Sequence, residues 1–266
     1  MRTLAFVGAS ALLLTGCTGD PEPVISTSAT SAPVPSISAP DVESSPQGGD
    51  VDVTPASYIV TAPSDRVDVY DEVDGTVTQT VAAEDVLSAP GQTPLTFLVK
   101  ELRDDWAEVY LPVRPNGSTG WIPLADEQLT ATSYRLEISL TDFTLSLFEG
   151  DDEVFTAEVG VGRDDRPTPG GVYYIRELLQ PPDPEGVYGP FAYGLSGYSP
   201  VLDEFKGGEA IIGIHGTDEP DRLGSYVSSG CIRMANDAIT ELVTEFGVPL
   251  GTPVYISDQA ADLTAA

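Results

Sequence analysis

From Tyr134 to Leu147 the apolar residues fall on every second position in two short runs. Tyr134, Leu136, Ile138 and Leu140 form the first, and Phe143, Leu145 and Leu147 the second; Arg135, Glu137, Ser139 and Thr141 fill the gaps of the first. A period of two puts one set of side chains on one face of an extended strand, which a helix of 3.6 residues per turn cannot do. Gly150-Asp151 then marks a turn, and Phe155, Ala157 and Val159 resume the alternation. The stretch therefore predicts a β-meander with one buried face. A similar pattern occurs upstream. Ala107, Val109 and Leu111 alternate with Glu108 and Tyr110, Asn116-Gly117 supplies a turn, and Trp121-Ile122 begins a return strand.

Downstream the pattern changes. Leu178 to Lys206 is rich in Gly, Pro and Tyr and reads as a long, partly ordered loop, of the kind that often serves as a lid. Ile239, Leu242, Val243 and Phe246 fall at i, i+3, i+4 and i+7, which predicts one short helix with Asn236 as its cap and Gly247 as its stop. Gly251 to Ser257 reads as a closing strand.

The 42 Asp and Glu against 12 Lys and Arg give a net charge of −30. Nucleic acid is an unsuitable partner, since binding it needs clustered cations to displace counterions. The same balance opposes adhesion to anionic lipid by charge alone. Residues 1–17 carry a single Arg, an apolar run from Leu4 to Leu14 too short to span a bilayer, and then Cys17. Leu14-Thr15-Gly16-Cys17 resembles the lipobox of bacterial lipoproteins, which implies cleavage before Cys17 and lipidation of its thiol. Residues 18–54 are rich in Ser, Pro and Ala and poor in groups that bury apolar area, so they read as a disordered tether.

The chain has two cysteines and one histidine. With Cys17 lipidated, Cys231 has no disulfide partner. His215 ends the apolar run "EAIIGIHG", and Cys231 lies sixteen positions later, after a Gly/Ser-rich loop and just before the predicted helix. A strand end and a pre-helix turn can adjoin, and a Cys and a His in reach of each other make a nucleophile and its base. Gly230 leaves backbone space for a substrate carbonyl, and backbone N–H groups near Cys231 suit an oxyanion. Two other readings stand beside this one: a small buried thiol with a structural imidazole, or part of a zinc site, for which one His and one Cys are too few ligands. Arg233 suits a substrate carboxylate or a neighbouring acid equally well. Tyr188, Tyr193 and Tyr198 suit a substrate groove or simple packing.

"IHGT" with "SSGCIRM", and "RPTPGGVYYI" from Arg166 to Ile175, resemble the signature of the YkuD-type L,D-transpeptidase catalytic domain. "YGPFAYGLSGY" and "GTPVYI" follow that family's order. The resemblance implies a mainly β, β-sandwich-like catalytic domain with one short helix after the Cys motif. It implies Cys231 as acylated nucleophile, His215 as base, and the Gly216 carbonyl as the group that orients the imidazole. Ser228, Gly230, Arg233 and Tyr193 are the expected substrate contacts; no cofactor and no metal are expected. The family usually has His where this chain has Ser229. Residues 106–124 resemble a small bacterial Src-homology-3-like β-barrel. The expected order is a signal peptide at 1–17, a tether at 18–54, a small β-barrel at 55–130, the catalytic domain at 133–258 and a tail at 259–266. The implied activity is cross-linking of peptidoglycan stem peptides outside the cytoplasmic membrane, by a lipoprotein anchored to its outer face and working in the cell wall. The rivals are an L,D-carboxypeptidase and a degenerate wall-binding lipoprotein.

Overall fold

A computed structural model of the chain describes residues 57–125 and 127–258. The expected signal segment, Cys17 and tether, and the 259–266 tail, lie outside the described residues.

Residues 57–132 build an antiparallel sheet from β1 (Ser57–Thr61), β2 (Arg66–Tyr70), β3 (Val77–Ala82), β4 (Thr96–Arg103), β5 (Trp106–Tyr110), β6 (Thr119–Pro123) and β7 (Gln128–Thr132). Their order is β3-β2-β6-β5-β4-β1-β7. A single turn of helix, α1 (Ala83–Val86), follows β3. The alternating apolar residues of β1 to β6, among them Val60, Val69, Val81, Phe97, Val109 and Ile122, meet in one core. A flat sheet could not bring both its ends into one cluster, so this one curls around its own apolar face.

Residues 134–257 build a second sheet. Its strands are β8 (Tyr134–Ser139), β9 (Thr144–Glu149), β10 (Asp152–Gly162), β11 (Gly171–Leu179), β12 (Ala192–Tyr198), β15 (Ile211–His215), β16 (Tyr226–Ser228), β17 (Ile232–Met234) and β18 (Pro253–Ser257). A separate two-stranded hairpin, β13 (Glu204–Phe205) with β14 (Gly208–Glu209), precedes β15. The order is β16-β10-β17-β15-β12-β11-β18-β8-β9, and β10 also pairs with β9. Two strands turn corners to make this closure. The first part of β10 pairs with β9, and its last residues pair with β17 and β16. The first part of β11 pairs with β18 and the rest with β12, with a register shift between Ile175 and Glu177. The result is a closed, sandwich-like body around Leu136, Leu145, Ile175, Leu195, Ile214 and Ile232.

The sequence pattern misreads two places. The stretch expected to be a long loop from Leu178 to Lys206 contains β12, a central strand hydrogen-bonded to β11 and β15. It shows no alternation because both its faces are covered: Tyr193 to Tyr198 are all buried. Gly194 and Gly197 lie in that strand because a Cβ would sit 2.7 Å from Glu177 Cγ and 2.4 Å from Tyr173 Cε1. The helix α2 (Asn236–Thr244) begins where expected, and it buries Ile239 and Leu242. Its cap position, however, is held by Ala235 without a side-chain hydrogen bond, and Asn236 has another task.

The two sheets belong to one compact unit. The Ser88 backbone N–H and hydroxyl both donate to the Glu177 carboxylate, at 2.8 and 2.9 Å. Asn116 pairs with the β12 backbone in both senses, accepting from Tyr198 N at 2.9 Å and donating to Tyr198 O at 2.8 Å. Arg114 donates to the carbonyls of Ser199 and Leu202, at 2.8 and 2.9 Å.

Candidate active site

β15 and β17 run parallel, with Ile214 opposite Ile232 and His215 opposite Arg233. Alternation sends the two isoleucines into the core, where both are fully buried. It sends His215, Arg233 and Cys231, which immediately precedes β17, to the other face. There His215 and Cys231 line one pocket together with Tyr188, Lys206, Ser229 and Arg233. The fold thus brings together the histidine and cysteine that the sequence separates by sixteen positions.

His215 is 4% exposed. Its Nδ1 lies 2.6 Å from the Gly216 carbonyl oxygen. A carbonyl only accepts, so this contact places the ring proton on Nδ1 and leaves Nε2 with a free lone pair. Asn236 supports the arrangement from behind. Its Oδ1 accepts from Thr217 N at 2.9 Å, and that N–H belongs to the same peptide unit as the Gly216 carbonyl. Gly189 and Gly216 let the backbones approach there, since a Cβ on either would lie 2.3 Å from Asn236 Oδ1. The sequence signal for Asn236 was read as a helix cap. An Asn at a helix start satisfies both readings, and only the long-range approach of Gly216 separates them.

Although the chain carries a net charge of −30, the charges that reach His215 are the cations of Arg233 and Lys206. Burial pushes the His215 pKa down to about 4; the Gly216 carbonyl opposes this, and the Arg233 and Lys206 charges add to it. Burial also pushes the Cys231 thiol up, partly offset by the Gly213 amide and by the same two cations. Both shifts favour a neutral thiol beside a neutral imidazole. Cys231 Sγ lies 3.9 Å from the Ile211 carbonyl oxygen, as a thiol donor would.

The other expected contacts divide. Arg233 lines the pocket and binds Glu219, with Nη1 2.9 Å from Oε2, so its charge is already matched by an acid. Ser228 and Gly230 hold the turn that presents Cys231. The Ser228 hydroxyl donates to the Cys231 carbonyl at 2.5 Å and accepts from Gly230 N at 3.1 Å. Gly230 has φ +122°, and its carbonyl accepts from Thr168 Oγ1 at 2.8 Å. Its N–H is thus spent on the turn and is not open to a substrate. Tyr193 is a correction: it lies in the core at 1% exposure, with its hydroxyl 3.5 Å from the Val248 carbonyl, because β12 is buried on both faces. Tyr198 is buried against Arg114 and Arg176. Of the three tyrosines, Tyr188 reaches the site, with its ring edge-to-face on His215 at 4.9 Å. Ser229 accepts from Arg166 Nη1 at 3.3 Å. Thr168, Glu219 and Lys206 were not singled out from the sequence. Among the described residues no group of three or more His, Cys, Asp or Glu is placed to hold a metal.

Residues 133–256 match the family model of the YkuD L,D-transpeptidase catalytic domain. The YkuD protein of Bacillus licheniformis is 37% identical over 124 residues, 47% of this chain and 66% of the relative. The YqjB protein of Bacillus subtilis is 32% identical over 111 residues, 38% of this chain and 57% of the relative. The chain thus spans somewhat less than two thirds of the length of these relatives. Among solved structures, an L,D-transpeptidase from Mycobacterium tuberculosis aligns with a TM-score of 0.39 at 16% identity, covering 55% of this chain and 74% of that one. Residues 133–256, which fold as the closed β body carrying His215 and Cys231, are thus the part of this chain that matches the YkuD-type L,D-transpeptidase catalytic domain.

Proposed function

We propose that this chain is an L,D-transpeptidase that cross-links peptidoglycan stem peptides through a Cys231 acyl-enzyme. The observation that carries the reading is the Nδ1 contact to Gly216, which leaves His215 Nε2 as a base in the pocket that Cys231 lines. Because both shifts favour a neutral thiol and a neutral imidazole, the proton moves as the bond forms. His215 Nε2 takes the Sγ proton while sulfur attacks the carbonyl of the stem's third residue. The tetrahedral intermediate collapses to a thioester, and the imidazolium returns its proton to the departing amine of the terminal D-residue. An amine of a second stem then attacks the thioester, its proton passes through His215, and the thiol is restored. Water in place of that amine gives carboxypeptidase products from the same intermediate. Ser229, bound by Arg166, occupies the position of the usual family His and lies outside this proton path.

Mass spectrometry of products from defined tetrapeptide stems tests the reading. Dimers from the native chain, and none from Cys231→Ala, are expected. Trimmed monomers alone indicate hydrolysis, and turnover surviving in Cys231→Ala overturns the thiol mechanism. A carbapenem should add its mass to the native chain and not to that variant. We also place the chain outside the cytoplasmic membrane, tethered through lipid on Cys17; membrane fractionation of wild type against Cys17→Ser checks this.

A further inference from the structure

We propose that the ammonium of Lys206, at the tip of the β13–β14 hairpin, receives the free carboxylate of the donor peptide and selects donors that end in an acid. The proposal rests on the reading of the pocket as an acyl-transfer site. A donor whose terminal D-residue leaves carries its α-carboxylate on that same residue, one residue beyond the scissile carbonyl. Whatever binds that anion must therefore stand beside Cys231.

Cations are scarce in this chain, and most are committed. There are two lysines. Lys100 is tied to Glu108 at 2.8 Å. Arg233, the cation expected from the sequence to meet a substrate carboxylate, is matched by Glu219, which also binds Arg222. Lys206 is joined to no carboxylate among the described residues. It is held by aromatic faces, with Nζ 5.1 Å from the Tyr188 ring centre and 5.6 Å from that of Phe205. A ring face positions an ammonium without neutralising it, so the charge stays available to an anion. The same Tyr188 ring packs on His215, which puts the ammonium one ring away from the base. Lys206 also lines the pocket with Cys231. Its charge is felt there, as one of the influences holding His215 neutral.

The backbone supports a fixed position. Lys206 and Gly207 have φ of +51° and +88°, a tight left-handed turn that a lysine does not favour. Arg114 anchors the approach to the hairpin through Ser199 and Leu202 and lies 3.8 Å from Glu209. The surrounding field is hostile to an acid: the chain carries −30, and Asp203, Glu204 and Glu209 lie on or beside the hairpin. An unmatched cation among the residues that line the pocket is what lets an anionic peptide end approach.

The test uses two thiol reagents of similar size and opposite character, on the full chain. Cys231 alkylation rates are measured with anionic iodoacetate and neutral iodoacetamide, in wild type, Lys206→Gln and Lys206→Arg. The iodoacetate-to-iodoacetamide ratio should fall about three- to tenfold in Lys206→Gln and be retained in Lys206→Arg. A second arm compares a tetrapeptide donor with its C-terminal amide. Lys206→Gln should raise the acid-to-amide KM ratio by a similar factor, a comparison in which any effect of the lost charge on His215 cancels. An alkylation ratio unaltered by Lys206→Gln overturns the proposal, as does an acid-over-amide preference that survives it. A lowered ratio with no peptide turnover in any variant upholds the anion seat and counts against the acyl-transfer reading alone.

Discussion

At the scale of single residues, the site depends on one peptide unit, between Gly216 and Thr217. Its carbonyl fixes the His215 tautomer, and its N–H is held by Asn236. Removing the Asn236 acceptor strands an N–H that is largely shielded from water, at a cost of about 1–3 kcal/mol, and frees the carbonyl to rotate. Asn236→Ala is expected to lower kcat about ten- to a hundredfold with KM nearly unchanged, while Asn236→Asp, which keeps an acceptor oxygen, recovers most of the rate. An equal loss in both variants, with KM rising, would mean that Asn236 merely holds helix α2 in place. His215 also leaves a mark on stability. Its folded pKa, about 4, lies below the ordinary 6.5. Between those values the unfolded chain binds a proton that the folded chain refuses, so stability falls as pH drops from 6.5 to 4. The full effect is about 3 kcal/mol. The acidic residues contribute their own slope, so the quantity to read is the difference between wild type and His215→Gln in urea unfolding at pH 7 and pH 4.5. Two parallel curves would show that the imidazole is not buried neutral.

At the scale of elements, the strands with one covered face were legible and those with two were not. Tyr134 to Leu147 alternate because β8 and β9 have an inner and an outer side, and Leu136, Ile138, Leu145 and Leu147 are the inner set. β12 lies mid-sheet under cover on both sides, so its residues are chosen for fit, and two of them are glycines. Fit against a partner distant in sequence leaves no period to read. The same limit applies to the site. His215 and Cys231 were legible by scarcity and motif, and the orienting carbonyl by family resemblance. Asn236, Thr168 and Lys206 act across long sequence gaps and were not. Tyr193 was misplaced because β12 itself was. The β12 packing is open to a direct check. In Gly197→Ala the new Cβ would meet Tyr173 Cε1 at 2.4 Å, inside the core, so a loss of about 1–3 kcal/mol is expected in urea unfolding. Gly91→Ala, where a Cβ meets nothing within 4 Å, should change stability by less than about 0.5 kcal/mol. Equal behaviour of the two variants would contradict the placement of β12.

At the scale of the whole molecule, the first sheet acts as a brace for the second. The carboxylate of Glu177, 1% exposed, is met by Ser88 from the loop between α1 and β4 and lies 3.7 Å from the guanidinium of Arg176. Asn116 completes the edge of β12 at Tyr198. Arg114 reaches further, to the segment that leads into the β13–β14 hairpin. The two Arg114 bonds are made to backbone carbonyls, so they do not depend on which side chains stand at 199 and 202. If the brace matters because it places Lys206, Arg114→Ala should weaken acid-ended donors and leave amide-ended donors alone. The expected rise in KM for the acid is about threefold, as for the loss of one or two partly exposed hydrogen bonds that only position another group. The decisive measurement is a double-mutant cycle. In a Lys206→Gln background, Arg114→Ala should change the acid-to-amide KM ratio no further, because the group it positions is already gone. Additive effects of the two substitutions would instead mean that Arg114 acts on the pocket by a route that does not pass through Lys206, such as a general loosening of the segment from Ser199 to Ala210.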